Sequence, residues 1–247
     1  MTVFGDLLAK QPAQRANYLV LIDPDSKNDG HLPDLVAGVN EAGADAILVG
    51  GSLIMDGGFI DRVKAIKDAS NVPVILFPGA SSQINPHLDA VLFMSLLSGR
   101  NPQFLIGEQV QAAPVVKHLG LEAISTGYLL LDGGGQTAVE FMSGSLPLPM
   151  GKPDLVVAHA LAAQYLGMQL IYLEAGSGAS RHVPVEVIKE VNNYVDIPLM
   201  VGGGIREPET AARLVEAGAR FIVTGTVIET ADGPDRMAAF ARAVHGH

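Results

Sequence analysis

The sequence predicts an α/β protein, a modified (β/α)8 TIM barrel in which the third helix is missing or replaced by an irregular segment. Three observations support this fold: eight short apolar runs without polar alternation, helix-like stretches between most of them, and two pairs of similar units. Strands that are buried on both faces, as in a parallel barrel, produce such runs. A barrel of this kind takes about 250 residues, which agrees with the 247 residues of the chain.

The predicted strands are apolar runs that end near Gly, Ser or acidic residues. In chain order they are YLVLID from residue 18, AILVGG from 46, VPVILFPG from 72, AVLFMSLLS from 90, LEAISTGYLLLDGG from 121, LIYLEAG from 170, PLMVGGG from 198 and FIVTGT from 221. The predicted helices are Leu32–Ala42, Phe59–Ala69, Gln103–Leu119, Asp154–Leu166, Pro184–Asn193, Pro208–Ala217 and Pro234–Val244. The segment ASSQINPHLD, between the third and fourth strands, is too short and too interrupted for a helix.

Two internal similarities indicate repeated β/α units. EAGADAILVGGS resembles EAGARFIVTGT, and NVPVILFPG resembles DIPLMVGGG, so the second unit resembles the eighth and the third resembles the seventh. A doubly wound open sheet is the structural alternative, but the number of similar units favours a barrel. No linker or change of composition divides the chain, and we therefore expect a single domain over residues 1–247.

Composition narrows the range of partners and compartments. Sixteen Lys and Arg against 26 Asp and Glu give a formal charge of −10, which opposes binding to nucleic acid or to an anionic membrane. The chain has no Cys, which excludes disulfides, thiolate metal sites and Cys nucleophiles. The first residues lack the features of a signal peptide, and the uncharged stretch 155–173 reads as a helix followed by a strand. We therefore expect a cytoplasmic protein.

The carboxyl ends of the predicted strands carry the functional signal, because active sites of (β/α) barrels lie there. The polar, glycine and proline residues at these ends are Asp23, Asp25, Gly50, Gly51, Ser52, Pro78, Gly79, Ser95, Ser98, Ser125, Thr126, Asp132, Glu174, Gly176, Ser177, Gly178, Gly202, Gly203, Gly204, Gly225 and Thr226. Glu174 ends an apolar run and is followed almost only by Gly, Ala and Ser. A carboxylate beside bare backbone at this rim indicates a ligand site.

The last two strand ends, GGGIR and TGT, predict a phosphate site. Their backbone N–H groups are not hindered by side chains, and Pro208 marks the start of the helix that follows the seventh strand. Amides and helix N-termini bind phosphate without a positive net charge. The loops after strands seven and eight often hold phosphate in this fold.

Asp23 is the candidate metal ligand. Pro24 turns the chain before Asp25, so Asp23 is the firmer rim carboxylate, and a turn or helix-capping role is the alternative for both. Asp23, the Ser52 hydroxyl and phosphate oxygens would form an oxygen site suited to Mg²⁺. The seven His residues show no zinc-binding spacing. The cations nearest the rim are Lys27, Arg100, Lys152, Arg181 and Arg206.

The motifs LIDPDS, ILVGGS, ILFPGA, LDAVLFMSLLSGRNP, ISTGYLLLDGG, TAVEFMSGSLPLP, YLEAGSGA, VGGGIREPETA and VTGT run from about Tyr18 to the last helix. Together they resemble the geranylgeranylglyceryl phosphate synthase family, especially its longer-chain branch, which is related to heptaprenylglyceryl phosphate synthase. The resemblance implies a barrel without its third helix and a Mg²⁺-dependent prenyltransferase. Such an enzyme transfers a geranylgeranyl or similar group from a prenyl diphosphate to the C3 hydroxyl of sn-glycerol-1-phosphate, giving an ether lipid precursor.

The resemblance also assigns roles to residues. It implies that Asp23 and Ser52 bind Mg²⁺ beside the diphosphate, and that Glu174 accepts the proton of the attacking hydroxyl. The residues implied to hold glycerol phosphate are Tyr172, Leu173, Glu174, Ala175, Gly176, Ser177, Gly178, Gly203, Gly204, Gly225 and Thr226. Relatives form dimers or larger rings, so we expect a homo-oligomer, with at most transient membrane contact for a lipid substrate or product.

The sequence departs from the family pattern at two places. Ser26 stands between DPD and Lys27, so Lys27 receives no catalytic role, and Gln103 with Phe104 replaces a bulkier aromatic pair near the expected prenyl groove. The prenyl chain length stays open, and so does the acceptor, because a related moenomycin-pathway enzyme uses a phosphoglycerate.

Two other functions are possible for this pattern. A phosphosugar isomerase of histidine or tryptophan biosynthesis would share the phosphate motifs and would use an acid and a base, here Asp23 and Asp132. A non-catalytic phosphate-binding barrel would not need Glu174 and Asp23 together. The isomerase does not account for Glu174 at the end of the sixth strand or for the uncharged stretches AVLFMSLLSG and STGYLLL, which a lipid tail could line.

Overall fold

The computed structural model describes residues 2–11, 13–228 and 233–246. Over these residues, eight parallel strands pair in sequence order, and β1 pairs with β8 to close the barrel. The strands are β1 (Asn17–Ile22), β2 (Ala46–Val49), β3 (Val74–Leu76), β4 (Ala90–Leu96), β5 (Glu122–Leu130), β6 (Leu170–Glu174), β7 (Leu199–Gly202) and β8 (Ala219–Thr224). The predicted barrel is confirmed.

The α-helices surround the barrel, and one of them lies at its amino-terminal end. They are α1 (Val3–Ala9), α2 (Leu32–Ala42), α3 (Phe59–Ala69), α4 (Glu108–Leu119), α5 (Ala138–Ser143), α6 (Pro153–Tyr165), α7 (Val185–Tyr194), α8 (Pro208–Glu216) and α9 (Gly233–His245). Six predicted helices agree with these bounds to within one residue. Within the part of the chain described, no helix is both long and apolar enough to cross a membrane.

The helix that would follow β3, which is the third helix of a regular (β/α)8 barrel, is missing, as predicted. Between β3 and β4 the chain forms only a short 3-10 turn, Ser81–Gln83. The buried side chain of Gln83 bonds to both neighbouring strand ends. Its amide nitrogen donates to the Gly51 carbonyl at 2.6 Å, and its amide oxygen accepts from the Gly79 N–H at 3.0 Å. This side chain therefore joins the ends of β2 and β3.

The predicted helix Gln103–Leu119 is interrupted near its start. Residues Gln103–Gly107 form a π-helical turn, and α4 follows directly. A π turn displaces the regular hydrogen bonds, and here the Ser95 hydroxyl donates to the Leu105 carbonyl at 2.7 Å. Spacing alone could not predict the turn, because the bond that supports it comes from a neighbouring strand.

Two helices, α1 and α5, are absent from the sequence prediction. Helix α1 covers the amino-terminal end of the barrel, where Phe4 and Leu7 are buried and Phe4 stacks on Phe221 with ring centroids 5.9 Å apart. The Glu122 carboxylate accepts from the Phe4 N–H at 3.3 Å. A helix of seven residues is too short to be stable alone, so tertiary packing determines its position.

Successive strand residues alternate between two hydrophobic cores. In β1, Leu19 belongs to the cluster that fills the barrel, whereas Tyr18 and Val20 pack in the cluster between strands and helices. Both faces are buried along most of each strand, which explains why the strand sequences show no polar alternation. Burial of each such aliphatic side chain contributes about 1.5–3 kcal/mol to stability.

Candidate active site at the carboxyl ends of the strands

A pocket of about 710 Å³ opens at the carboxyl ends of the strands. Its polar part is lined by residues that the sequence predicted: Asp23, Ser52, Tyr172, Glu174, Gly176, Ser177, Gly178, Gly203, Gly204, Gly225 and Thr226. Its apolar part is lined by Ile84, Val91, Phe93, Met94, Leu96, Phe104, Ala112, Val139 and Met142. The two parts are continuous, so one ligand with a polar head and an apolar tail can occupy both.

Leu173 and Ala175 differ from the other predicted substrate-binding residues. Both are fully buried in the outer cluster between strands and helices, and neither side chain lines the pocket. The alternation of side chains along β6 explains this placement, because Tyr172 and Glu174 take the inward positions. Only backbone atoms of Leu173 and Ala175 remain available to the site.

Several other predicted rim residues do not line the pocket, among them Ser95, Ser98, Gly202, Ser125, Thr126 and Asp132. Ser125 and Thr126 belong to the first half of β5, which continues to Leu130, so the assignment of a strand end there was wrong. Asp132 lies beyond β5 and pairs with Arg181 at 3.6 Å instead of lining the pocket.

Glu174 is the buried carboxylate of the site, with 6% of its surface exposed. Its Oε1 accepts from the Gly176 N–H at 2.7 Å. Burial raises the pKa of Glu174 above its usual value, and the nearby Tyr172 hydroxyl and the Gly176 N–H oppose part of that rise. The Tyr172 hydroxyl itself forms no well-aligned hydrogen bond with any described residue. A carboxylate with a raised pKa in a pocket is a candidate proton acceptor.

Three aromatic rings lie beside Glu174. The Tyr172 ring is 5.3 Å from Phe77 and 5.5 Å from Tyr128, measured between centroids, and all three rings line the pocket. Burial and the charge of Glu174 raise the pKa of Tyr128 and of Tyr172 well above 10, so both phenols stay neutral. Aromatic faces favour positive charge, and the rings therefore provide a surface for a cationic group.

The glycines after β6 and β7 bring bare backbone close to the carboxylate. Gly203 has φ +81°, and a Cβ there would lie 2.4 Å from the Glu174 Oε1. Arg206 holds the loop after β6, because its guanidinium donates to the carbonyls of Ala179 at 2.8 Å and Ser180 at 3.2 Å. Backbone amides in this arrangement can bind an anion such as phosphate.

Asp23 and Ser52 face the pocket from the loops after β1 and β2. Partial burial raises the pKa of Asp23, the Lys27 ammonium lowers it and the charge of Asp25 raises it, with a net rise. Among the residues described, no three His, Cys, Asp or Glu side chains cluster in a way that could hold a metal ion. One carboxylate fits Mg²⁺, which commonly binds one or two carboxylates, substrate phosphates and several waters.

Asp25 has the turn role that the sequence analysis gave as the alternative to metal binding. Its carboxylate accepts from the Lys27 N–H at 3.0 Å and caps the 3-10 turn Ser26–Asn28.

Three residues that line the pocket, Lys27, Phe77 and Tyr128, were not predicted from the sequence. Lys27 lines the pocket, with its Nζ 3.6 Å from the Asp23 Oδ2, although the inserted Ser26 had argued against a role. Phe77 stands next to a predicted strand end, so its position in ILFPGA was an available signal. Tyr128 could have been found only with the correct end of β5.

Comparison with known proteins agrees with this geometry. A family model described as the PcrB family matches residues 11–244. The chain is 44% identical over 244 residues to geranylgeranylglyceryl phosphate synthase of Methanopyrus kandleri, covering 99% of each protein. It is 49% identical over 216 residues to the synthase of Thermococcus gammatolerans, covering 87% of this chain and 84% of the relative.

Solved structures show the same relationship. The (S)-3-O-geranylgeranylglyceryl phosphate synthase from Thermoplasma acidophilum, in complex with sn-glycerol-1-phosphate, has a TM-score of 0.94 and 36% identity, with 100% of both chains covered. A thiamine phosphate pyrophosphorylase from Pyrococcus furiosus, at 13% identity and a TM-score of 0.62, shares the fold alone. From the family model and the full-length relatives, we conclude that the chain belongs to the PcrB family.

Proposed function

We propose that the protein transfers a geranylgeranyl or similar prenyl group from a prenyl diphosphate to the C3 hydroxyl of sn-glycerol-1-phosphate, giving an ether lipid precursor. The observation that carries this proposal is the continuous pocket, in which a buried carboxylate and glycine backbone adjoin an apolar groove. The relative from Thermoplasma acidophilum, crystallised with sn-glycerol-1-phosphate, supports the choice of acceptor.

The acceptor would bind between the glycine loops and Glu174. Backbone amides near Gly176, Gly203 and Gly225 would hold the phosphate, which places the C3 hydroxyl at the other end of a three-carbon molecule. Glu174 would accept the hydroxyl proton as the oxygen attacks. The neutral Tyr172 phenol, beside the Glu174 carboxylate, would supply a hydrogen bond to the acceptor, because its buried hydroxyl forms no well-aligned hydrogen bond with the residues described.

The donor would place its diphosphate near Asp23 and its chain along the apolar part of the pocket. Mg²⁺ held by Asp23 and Ser52 would offset the negative charge that develops on the departing diphosphate. Lys27, beside Asp23, would add a second positive charge at this end.

The transfer needs little more than positioning and charge stabilisation. The bond from the allylic carbon to the diphosphate breaks, the acceptor oxygen bonds to that carbon, and the proton passes to Glu174. The rings of Phe77, Tyr128 and Tyr172 would stabilise the positive charge that develops on the allylic carbon. The diphosphate leaves with the electron pair of the broken bond.

The two alternatives gain less from the structure. An isomerase with Asp23 and Asp132 as acid and base would need both carboxylates at the pocket, and Asp132 does not line it. A barrel that only binds phosphate would not need the apolar groove beside Glu174.

We also propose that residues 1–247 form one cytoplasmic domain that assembles into a homo-oligomer and contacts membranes only transiently. In support of assembly, Tyr165 and Leu166 at the end of α6 and Tyr194 at the end of α7 leave 79%, 70% and 58% of their surfaces exposed. Sedimentation velocity would test this, because a monomer at micromolar concentration would contradict it.

The decisive experiment for the function is a transfer assay. The protein is incubated with radiolabelled sn-glycerol-1-phosphate and prenyl diphosphates of several lengths, with Mg²⁺ or with EDTA. We expect label in the organic phase only with Mg²⁺ and with at least one donor. No extractable product with any donor would overturn the proposal, and undiminished product in EDTA would overturn the Mg²⁺ assignment.

A further inference from the structure

Arg62, in the first turns of α3, bonds to carboxylates in two different loops of the pocket rim. Its Nη1 and Nη2 donate to the two oxygens of Asp56 in the β2–α3 loop, residues 50–58, at 2.7 Å and 2.9 Å. Its Nε donates to the Asp29 Oδ1 in the β1–α2 loop, residues 23–31, and its Nη2 donates to the Asp29 Oδ2 at 3.1 Å. The Arg62 side chain is only 13% exposed.

The two carboxylates that Arg62 binds lie in the same loops as Asp23 and Ser52, which belong to the proposed diphosphate site. Asp29 directly follows the 3-10 turn Ser26–Asn28, and the Asn28 side chain donates to the Asp23 carbonyl at 2.8 Å. Asp56 lies four positions after Ser52 and accepts from the Gly58 N–H at 2.8 Å, at the start of α3. The guanidinium therefore connects the two short segments that carry Asp23 and Ser52.

Apolar packing holds the β2–α3 loop at few residues, of which Ile54 packs partly buried against the core between strands and helices. Leu53 is 59% exposed and Met55 is 74% exposed, although both follow Ser52 within three residues. Isolated surface ion pairs stabilise little, but a guanidinium that binds two carboxylates through paired bonds fixes geometry far better. A lysine could not reproduce this arrangement, because its ammonium has no planar fork.

We propose that Arg62 is a positioning residue that fixes the β1–α2 loop relative to the β2–α3 loop, and thereby Asp23 relative to Ser52. The proposal rests on the proposed function, which assigns the magnesium diphosphate complex to these two residues. Arg62 itself does not line the pocket, so it acts through the loops.

The first test measures the loops directly, by hydrogen–deuterium exchange of the full chain. Arg62→Gln should speed amide exchange in residues 24–31 and 51–58 and leave the strands unchanged. Lys64→Gln is the matched control, because Lys64 lies on the same helix and its ion pair is with Asp68, four positions further along α3. Equal loop exchange in wild type and Arg62→Gln would overturn the proposal.

The second test measures binding of inorganic pyrophosphate with Mg²⁺ by calorimetry. Arg62→Gln and Arg62→Lys should each weaken binding by about tenfold, as expected when a partner behind a metal ligand is lost. Asp29→Ala should do the same, because it removes both oxygens that accept from Arg62 in the β1–α2 loop and leaves the Arg62–Asp56 bonds intact. Unchanged affinity in Arg62→Gln would contradict the proposal.

Kinetics separate this role from a general structural one. Arg62→Gln should raise the KM for prenyl diphosphate and the half-saturating Mg²⁺ concentration, while the KM for sn-glycerol-1-phosphate stays the same. An equal rise in both KM values would overturn the positioning role. If the wild-type chain forms no product with any donor, the proposed function fails, and the exchange and pyrophosphate tests still decide the role of Arg62.

Discussion

Glu174 and Gly202 are register partners on the neighbouring strands β6 and β7, and the missing side chain of Gly202 leaves room for the buried carboxylate. A Cβ at Gly202 would lie 2.7 Å from the Glu174 Oε2 and 2.5 Å from the Tyr172 hydroxyl. The smallest possible side chain would therefore collide with both groups proposed to act on the acceptor hydroxyl.

Gly202→Ala should consequently lower turnover by about 100-fold, because displacement of a catalytic group by an ångström has effects of that size. The fold should persist, since the collisions involve side-chain ends rather than the barrel backbone. Steady-state kinetics and circular dichroism would check this. Gly135→Ala is the matched control, because a Cβ at Gly135 meets nothing within 4 Å. Equal turnover in both variants would contradict the predicted crowding.

Glu174→Gln tests the assignment of the base. The amide keeps the shape of the side chain but cannot accept the proton, so turnover should fall by about 100- to 10,000-fold. Binding of sn-glycerol-1-phosphate, measured by calorimetry, should persist, because the phosphate is assigned to the glycine amides. Near-normal turnover in Glu174→Gln would rule out this residue as the base.

The raised pKa of Glu174 predicts a pH dependence of both activity and stability. The base is active when ionised, so kcat/KM should fall as pH decreases through a value above the usual 4.5. The free energy of unfolding changes with pH in the opposite direction and falls as pH rises. A carboxyl whose pKa is raised by folding contributes its stability below the unfolded pKa and loses it as pH rises through the folded pKa.

At about pH 7, Glu174→Gln should therefore have a higher Tm than wild type, whereas at about pH 4 the two should converge. A gain of about 1 kcal/mol corresponds to about 2–4 °C in a chain of this size. Calorimetric unfolding at both pH values is the measurement. A lower Tm of the variant at neutral pH would show that ionisation of Glu174 does not cost stability.

Lys27→Met tests whether the Lys27 ammonium contributes to binding of the prenyl diphosphate. Removal of the ammonium beside Asp23 should raise the KM for prenyl diphosphate by roughly three- to tenfold, a modest effect because 57% of the Lys27 side chain is exposed and solvent screens its charge. The KM for sn-glycerol-1-phosphate should not change. Lys152→Met, at an exposed loop position outside the pocket, serves as the control. An identical donor KM in both variants would remove Lys27 from the site.

Phe4→Ala tests the role of α1 in closing the barrel. The substitution removes a buried ring that stacks on Phe221, and it should reduce the free energy of unfolding by about 3 kcal/mol. Urea denaturation would measure the change. Phe141→Ala, which removes a ring that is 73% exposed, should change it by less than about 0.5 kcal/mol. Comparable values for the two variants would argue against a sealing role for α1.

Much of the fold and half of the candidate site follow from local sequence features. Unalternating apolar runs mark β1 to β8 because both strand faces are buried, and an interrupted segment marks the missing third helix. Glu174 and the Gly203–Gly204 pair were predictable because a strand end that carries a charge or bare backbone is unusual unless it meets a ligand.

The tertiary structure decided the features that depend on distant contacts. Helix α1 exists because it covers the barrel end, and the π turn before α4 is supported by a hydroxyl from β4. The end of β5, and with it the place of Tyr128, depends on pairing with β6 rather than on its own residues. The pairing of neighbouring strands brings Asp29 to Arg62 and Tyr128 beside Glu174, because these contacts join residues that are more than 30 positions apart in the chain.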